Sequence, residues 1–140
     1  MPPKLTRTLE DLGLRSAPDE FDRLAARLGG LVAVRELLVH PESVLETSDM
    51  APGGIRQWLR ALPIAADEQV RVGWPGDRAA ACMPFTVFVE RYDDFWYPAM
   101  DDVVVMIEEP RTIAVIVLDH EEHFAFGRLT TPVSTDKATR

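Results

Sequence analysis

The sequence is short of cysteine, of long apolar runs and of basic charge. Cys82 is the single cysteine among 140 residues, so no disulfide can form within the chain and a reducing compartment is the simpler expectation. No apolar run approaches the roughly 18 residues of a membrane span, and no apolar segment follows the early basic residues as it does in a secretory signal. We therefore expect a soluble, cytoplasmic protein that does not enter membranes.

The sequence also lacks any recognised catalytic motif, and it predicts no cofactor. An apolar share of 46% argues against wholesale disorder. A chain of this length fits one domain, which hides roughly 68–70% of its unfolded surface when it folds. We expect a single domain over residues 1–129, followed by a loose tail at 130–140.

Acidic residues outnumber basic ones: the chain has 23 Asp and Glu but only 15 Lys and Arg, which gives a formal net charge of -8. Residues 93–123 hold nine acidic side chains and one basic side chain, Arg111, so this stretch of 31 residues has a charge equal to the whole net balance. Such a surface repels a phosphate backbone and attracts basic proteins or divalent cations. The sequence thus predicts a protein partner and no direct binding of nucleic acid. The alternative explanation is that these acidic residues lie in solvent-exposed turns and strand ends and bind nothing.

Residues 1–63 are predicted to be mainly helical, because apolar residues recur there at helical spacing. The run at 31–40 fits a helix or a strand, and the helix is favoured because Pro41 follows where a helix should stop. Residues 43–54 are expected to form a short helical turn and a loop. The three other predicted helices lie at 5–14, 18–28 and 55–62.

Residues 68–129 are predicted to contain the sheet. Three short runs follow one another through turns too short for a crossover, so neighbouring strands must be antiparallel. The fold class is therefore α+β, with N-terminal helices packed on a small, mainly antiparallel sheet and a β-α-β-β-β order in the second half. The elements are a strand at 69–74, a helix or alternatively a strand at 84–95, and the three runs at 103–107, 112–120 and 123–129.

Antiparallel pairing also predicts that two acidic groups meet. The first strand of this meander begins at the end where the second strand finishes. Asp101 and Asp102 should therefore lie near Asp119 and Glu121, with the Glu pair at 108–109 at the opposite edge.

The segment at 119–123, DHEEH, places two imidazoles beside three carboxylates. Its histidines are three residues apart rather than four as in the zincin motif, and we expect them to flank a hairpin turn. A solvated turn is the favoured interpretation, and a pH-responsive contact is another. The alternative function is a metal-dependent hydrolase whose ligands would be Asp101, Asp102, Asp119, His120 and His123.

The segment at 92–102, YDDFWYPAMDD, combines aromatic rings with two Asp pairs. Aromatic residues with Met are typical of interface cores, and acidic flanks would form a charged rim. An equally good interpretation is that the end of a helix packs against the sheet through Phe95, Trp96 and Tyr97. The candidate partner-binding residues are Tyr92, Asp93, Asp94, Trp96, Tyr97, Asp101, Asp102, Asp119, Glu121 and Glu122.

Four features of the C-terminal half carry a resemblance to a known group of proteins: Trp74 at the end of a VxVxW strand, the DFWYP run at 94–98, Asp-Asp-Val at 101–103 and Asp-His-Glu at 119–121. In these features the chain resembles the small acidic α+β immunity-like proteins of bacterial polymorphic-toxin neighbourhoods. The resemblance implies a non-enzymatic protein that binds and blocks a toxin domain, such as a basic nuclease. A structural or chaperone-like subunit is a further alternative, and the oligomeric state is not predicted.

Overall fold

The computed structural model describes residues 3–15, 18–30, 40–96 and 102–130. Within these ranges the helices are α1 (Pro3–Asp11), α2 (Pro18–Arg27), α3 (Pro52–Arg60) and α4 (Phe85–Phe95). The strands are β1 (Ser43–Glu46), β2 (Gln69–Trp74), β3 (Ala79–Pro84), β4 (Val103–Glu108), β5 (Thr112–Leu118) and β6 (His123–Thr130). The predicted α+β fold class is confirmed. None of the helices in the described part of the chain is both long and apolar enough to cross a bilayer.

All six strands form one antiparallel sheet in the order β1-β6-β5-β4-β2-β3. The predicted meander is its centre, in which Leu118 pairs with Val103 on one side and with Phe124 on the other. This register places the start of β4, the end of β5 and the start of β6 at one end of the sheet.

Helices cover both faces of this sheet. On one face α1, α3 and α4 pack against the strands, and on the other face α2 packs through Phe21, Leu24 and Leu28. Because both faces are covered, central strands are apolar at successive positions, and Val104 and Val105 are both buried although they point to opposite faces. The central strands β4 and β5 carry no charged side chain except Glu108, at the end of β4.

Two strands differ from the sequence-based expectations. Residues 43–46 form the edge strand β1 rather than a helical turn, because Ser43 and Leu45 pair with Phe126 and Phe124 of β6. Strand β3 was not expected at all, since its alanines, cysteine and methionine give no β-branched or aromatic signal. It pairs with β2 along its full length after a tight turn that ends at Arg78 with φ of 48°. Both segments are strands because they pair with β6 and β2, and not because of a preference in their own residues.

The helical interpretation of residues 84–95 is confirmed by α4, whose buried stripe includes Phe85, Phe88 and Tyr92. The interpretation of 31–40 as a helix concerns residues outside the described ranges, apart from His40. Three further predictions also lie outside them, namely those for Tyr97, for Asp101 and for the tail from residue 131 onward.

Candidate functional site

The fold separates the eight acidic side chains that the structure describes in residues 93–123 into two classes. Four of them form ion pairs with basic side chains, and most of those basic partners come from distant parts of the sequence. These are Arg56–Asp93 at 2.9 Å, Arg91–Asp94 at 3.1 Å, Arg27–Glu108 at 2.6 Å and Arg128–Glu109 at 2.9 Å.

Four other carboxylates lie where β4 begins and β5 ends. Within the described residues, none of these four forms an ion pair with Lys or Arg, and histidine is the only cationic type that contacts them. The predicted meeting of Asp102 with Asp119 is confirmed, because both lie within reach of His120. We call this site the acidic end, and its members are Asp102, Asp119, His120, Glu121 and Glu122.

Asp102 holds His120 by two contacts. Its Oδ1 atom accepts a hydrogen bond from the backbone N–H of His120 at 2.9 Å and lies 2.8 Å from Nδ1 of the ring. An ionised carboxylate can only accept, so Nδ1 carries the proton. The hydrogen bond to Asp102 is the main cause that raises the pKa of His120 above 6.5, and the charges of Asp119 and Glu121 raise it further.

The turn between β5 and β6 holds the carboxylates in place. Oδ1 of Asp119 accepts the backbone N–H of Glu121 at 2.9 Å, and Glu122 adopts the left-handed φ of 67°. Thr47, just after β1, donates both its backbone N–H and its hydroxyl to the carbonyl of Glu122, each at 2.9 Å. Because Thr47 is buried, these bonds tie the turn to the edge of the sheet.

Most of the acidic end is open to solvent. The side chains of Glu121 and Asp102 are 70% and 46% exposed, whereas that of Asp119 is 18% exposed. Exposed charges contribute little to folding stability. A cluster of like charges at such a place is therefore suited to contacts with other molecules rather than to holding the fold together.

The structure places two of the candidate aromatic residues in the core. Tyr92 and Trp96 are 2% and 6% exposed. Both contact Phe124 of β6 edge-on, with ring centroids 6.4 Å and 4.9 Å apart. These rings plug the end of α4 onto the sheet, so we correct their assignment to an exposed contact surface. Burial also raises the pKa of the Tyr92 hydroxyl above 10.

The candidate metal ligands divide into two groups. Asp102, Asp119 and His120 have ligand atoms within 4.8 Å of one another, and so do Asp119, Glu121 and His123. The two histidines belong to different groups, and His123 pairs with Glu46 of β1. In the described part of the chain, the predicted ligands are therefore not gathered around one point.

Sequence reasoning missed the contribution of the segment that follows β1. Glu46, the last residue of β1, contacts His123 at the start of β6. Thr47 then binds the turn through the carbonyl of Glu122, and Ser48 lines a pocket beside it. The four residues Ser43–Glu46 do not alternate polar and apolar side chains, so the sequence held no strand signal here, and pairing with β6 decides the strand.

Comparisons of the chain with protein-family models, with curated proteins and with solved structures found no significant match. The resemblance to immunity-like proteins therefore stays a prediction. Any partner or substrate has to be proposed from the chemistry of the acidic end and its surroundings.

Proposed function

We propose that this chain is a non-enzymatic binding protein whose acidic end docks a basic protein partner. The observation that carries the proposal is the contrast between the four ion-paired carboxylates of the 93–123 stretch and the four at the acidic end. The latter have no Lys or Arg partner in the described part of the chain. Clustered exposed carboxylates speed the encounter with a basic surface and orient it.

The partner that we propose is a basic toxin domain such as a nuclease, which the chain neutralises in the cytoplasm. A nuclease needs a basic surface for the phosphate backbone. A protein that presents carboxylates from a fixed turn can cover that surface and exclude the nucleic acid. The resemblance to immunity-like proteins supports this choice of partner.

The test uses the purified chain and the product of the gene adjacent to its own. We expect a complex on size-exclusion chromatography, inhibition of the toxin's activity, and an affinity that falls steeply as salt is raised. If both proteins are folded and neither a complex nor inhibition is observed at low salt, the toxin-neutralising proposal is wrong.

A second candidate function is a metal-dependent hydrolase, favoured by the compact group of Asp102, Asp119 and His120. Carboxylate oxygens with one imidazole nitrogen are a suitable ligand set for Mn²⁺ or Zn²⁺. It predicts bound metal in elemental analysis and a raised melting temperature with Mg²⁺, Mn²⁺ or Zn²⁺ that Asp102→Asn abolishes. A wild-type chain that shows neither response contradicts it.

A further inference from the structure

Strand β1 lies at one edge of the sheet, and among the described strands it pairs only with β6. Thr47 continues the register of this pair, because its backbone N–H donates to the carbonyl of Glu122 directly opposite. In an antiparallel pair, every second residue bonds to the partner strand. Leu45 therefore bonds to β6, whereas Val44 and Glu46 direct their backbone N–H and C=O groups away from it. No backbone group elsewhere in the described ranges bonds to these outward groups.

The side chains of these two outward residues are one apolar and one acidic group. Val44 is 55% exposed and is the one large apolar side chain that is exposed among the described residues. Glu46 is 54% exposed even though it contacts His123 of β6. Val44 and Glu46 are two positions apart, so they lie on the same face of the sheet. That face is opposite to the one on which Ser43 accepts a hydrogen bond from Trp58 of α3.

This edge is continuous with the acidic end. Thr47, directly after β1, bonds to the carbonyl of Glu122 through both its hydroxyl and its backbone N–H. A strand added along β1 would lie two strand spacings, or about 10 Å, from β6 and the turn that precedes it. A partner held by β1 would therefore also face the carboxylates of the acidic end.

A second copy of this chain is a poor occupant of the edge. Only outward-facing residues can bond to each other, so a symmetric antiparallel pair of β1 strands sets Glu46 opposite Glu42, Val44 or Glu46 of the second copy. None of these residues is basic, and like charges directly opposite are destabilising. The complementary strand instead has an apolar residue opposite Val44 and a basic residue opposite Glu46.

We propose that β1 binds an extended segment of the basic partner as an added strand, with an apolar residue opposite Val44 and a basic residue opposite Glu46. In this mode of recognition the backbone bonds give affinity, and side chains at alternate positions give specificity. Short, charged edge strands also serve to prevent pairing. The exposed apolar residue in the middle of β1 argues against that role. This inference rests on the proposed function, because it states how the basic partner of the acidic end is held.

The test is backbone hydrogen exchange of the full-length chain, followed by NMR, with a synthetic peptide as probe. The peptide is acetyl-Thr-Lys-Thr-Val-Thr-Lys-Thr-amide, whose lysines flank the valine at equal distance, so either strand direction brings one lysine opposite Glu46. We expect the amides of Val44 and Glu46 to exchange at least about tenfold more slowly with millimolar peptide. The amide of Leu45, already bonded to β6, should change less.

Two matched controls separate charge from backbone pairing. A peptide with glutamate in place of both lysines should bind at least about fivefold more weakly. Val44→Pro removes an outward N–H that β6 does not use, and proline is tolerated on the outer side of an edge strand. We expect it to weaken the lysine peptide at least about tenfold, whereas Val44→Thr should keep the protection of Glu46. If the proline variant fails to fold, exchange in the wild-type chain decides alone.

Three results would overturn the inference. The first is unchanged exchange of Val44 and Glu46 at millimolar peptide, and the second is an equal response to both peptides. The third is slow exchange of both amides in the free chain, which would mean that the edge is already occupied. A second copy is the occupant if that protection depends on the concentration of the chain.

The two proposals fail in different ways. Binding of the adjacent gene product without protection of Val44 and Glu46 overturns the added strand and leaves the acidic end as the docking site. Protection by the lysine peptide, with no binding of that gene product, supports the edge as a binding site and contradicts the proposed partner.

Discussion

Asp102 and His120 are joined through a single carboxylate oxygen, which accepts the backbone N–H of His120 at 2.9 Å and lies 2.8 Å from its ring nitrogen Nδ1. The contact connects the residue before β4 to the turn after β5. It makes the acidic end one unit instead of two separate acidic pairs. It also couples the charge of that unit to pH, because the ring can gain or lose a positive charge.

The first prediction concerns this pH dependence. The pKa of His120 is raised in the folded chain above 6.5, so protonation favours the folded state. The resulting stabilisation is fully present below the unfolded pKa and is lost as pH rises through the folded value. His120→Gln should therefore be less stable than the wild type at about pH 5.5 and equally stable at about pH 9 in urea unfolding.

Asp102→Asn is the control for that experiment, because it removes the main cause of the raised pKa and keeps the histidine. We expect it to reduce the same pH dependence. An equal stability difference between His120→Gln and the wild type at both pH values would show that the contact is not formed in solution.

The second prediction compares two buried tryptophans. Trp74→Phe leaves the carbonyl of Phe95 without its donor, whereas Trp96→Phe removes a donor that has no acceptor among the described residues. Both substitutions remove a similar volume from buried positions. We expect Trp74→Phe to lower the free energy of unfolding by about 1–3 kcal/mol more than Trp96→Phe does, since a lost buried hydrogen bond has that magnitude.

Guanidinium unfolding of both variants measures this difference. Equal losses would indicate that the Trp96 indole already has an acceptor in the free protein, such as water.

The third prediction concerns the packing of α2 on the sheet. A Cβ atom at Gly73 of β2 would lie 3.2 Å from Cδ1 of Leu24, a fully buried residue that would have to shift within the packed core. Gly73→Ala should therefore destabilise the chain by about 1–3 kcal/mol through overpacking. Gly53→Ala is the control, since a Cβ in this helical position meets nothing within 4 Å and should be neutral or stabilising. A thermal melt in which the two variants behave alike would contradict this packing.

The meander was predictable because its turns are too short for any but antiparallel connections. The meeting of Asp102 with Asp119 followed from that topology alone. The strands β1 and β3 were not predictable, because their extended conformation follows from pairing with neighbouring strands and their own residues do not indicate it. The helix at 84–95 was favoured correctly by the period of its apolar residues.

Sequence reasoning could not show which carboxylates of the acidic stretch pair with arginine and which, in the described part of the chain, do not. Arg27 and Glu108 are 81 residues apart in the chain, and nothing local indicates their contact. The burial of Trp96 was left open for the same reason, since a ring next to charged residues fits a core or an interface equally well. Local patterns predicted where the charge lies along the chain, and tertiary contacts decide which part of it remains available.

The central claim is that a basic partner docks on the acidic end, and a calorimetric titration of two charge-matched triple variants tests it most directly. One variant carries Asp102→Asn, Glu121→Gln and Glu122→Gln, and the other carries Asp67→Asn, Glu68→Gln and Glu108→Gln at the opposite end of the sheet. Both make the net charge of -8 less negative by the same amount. We expect the first to weaken binding of the adjacent gene product at least about tenfold, or roughly 1.4 kcal/mol, and the second to change it by less than about twofold. Equal weakening by both variants would contradict the claim, because overall charge rather than the acidic end would then determine binding.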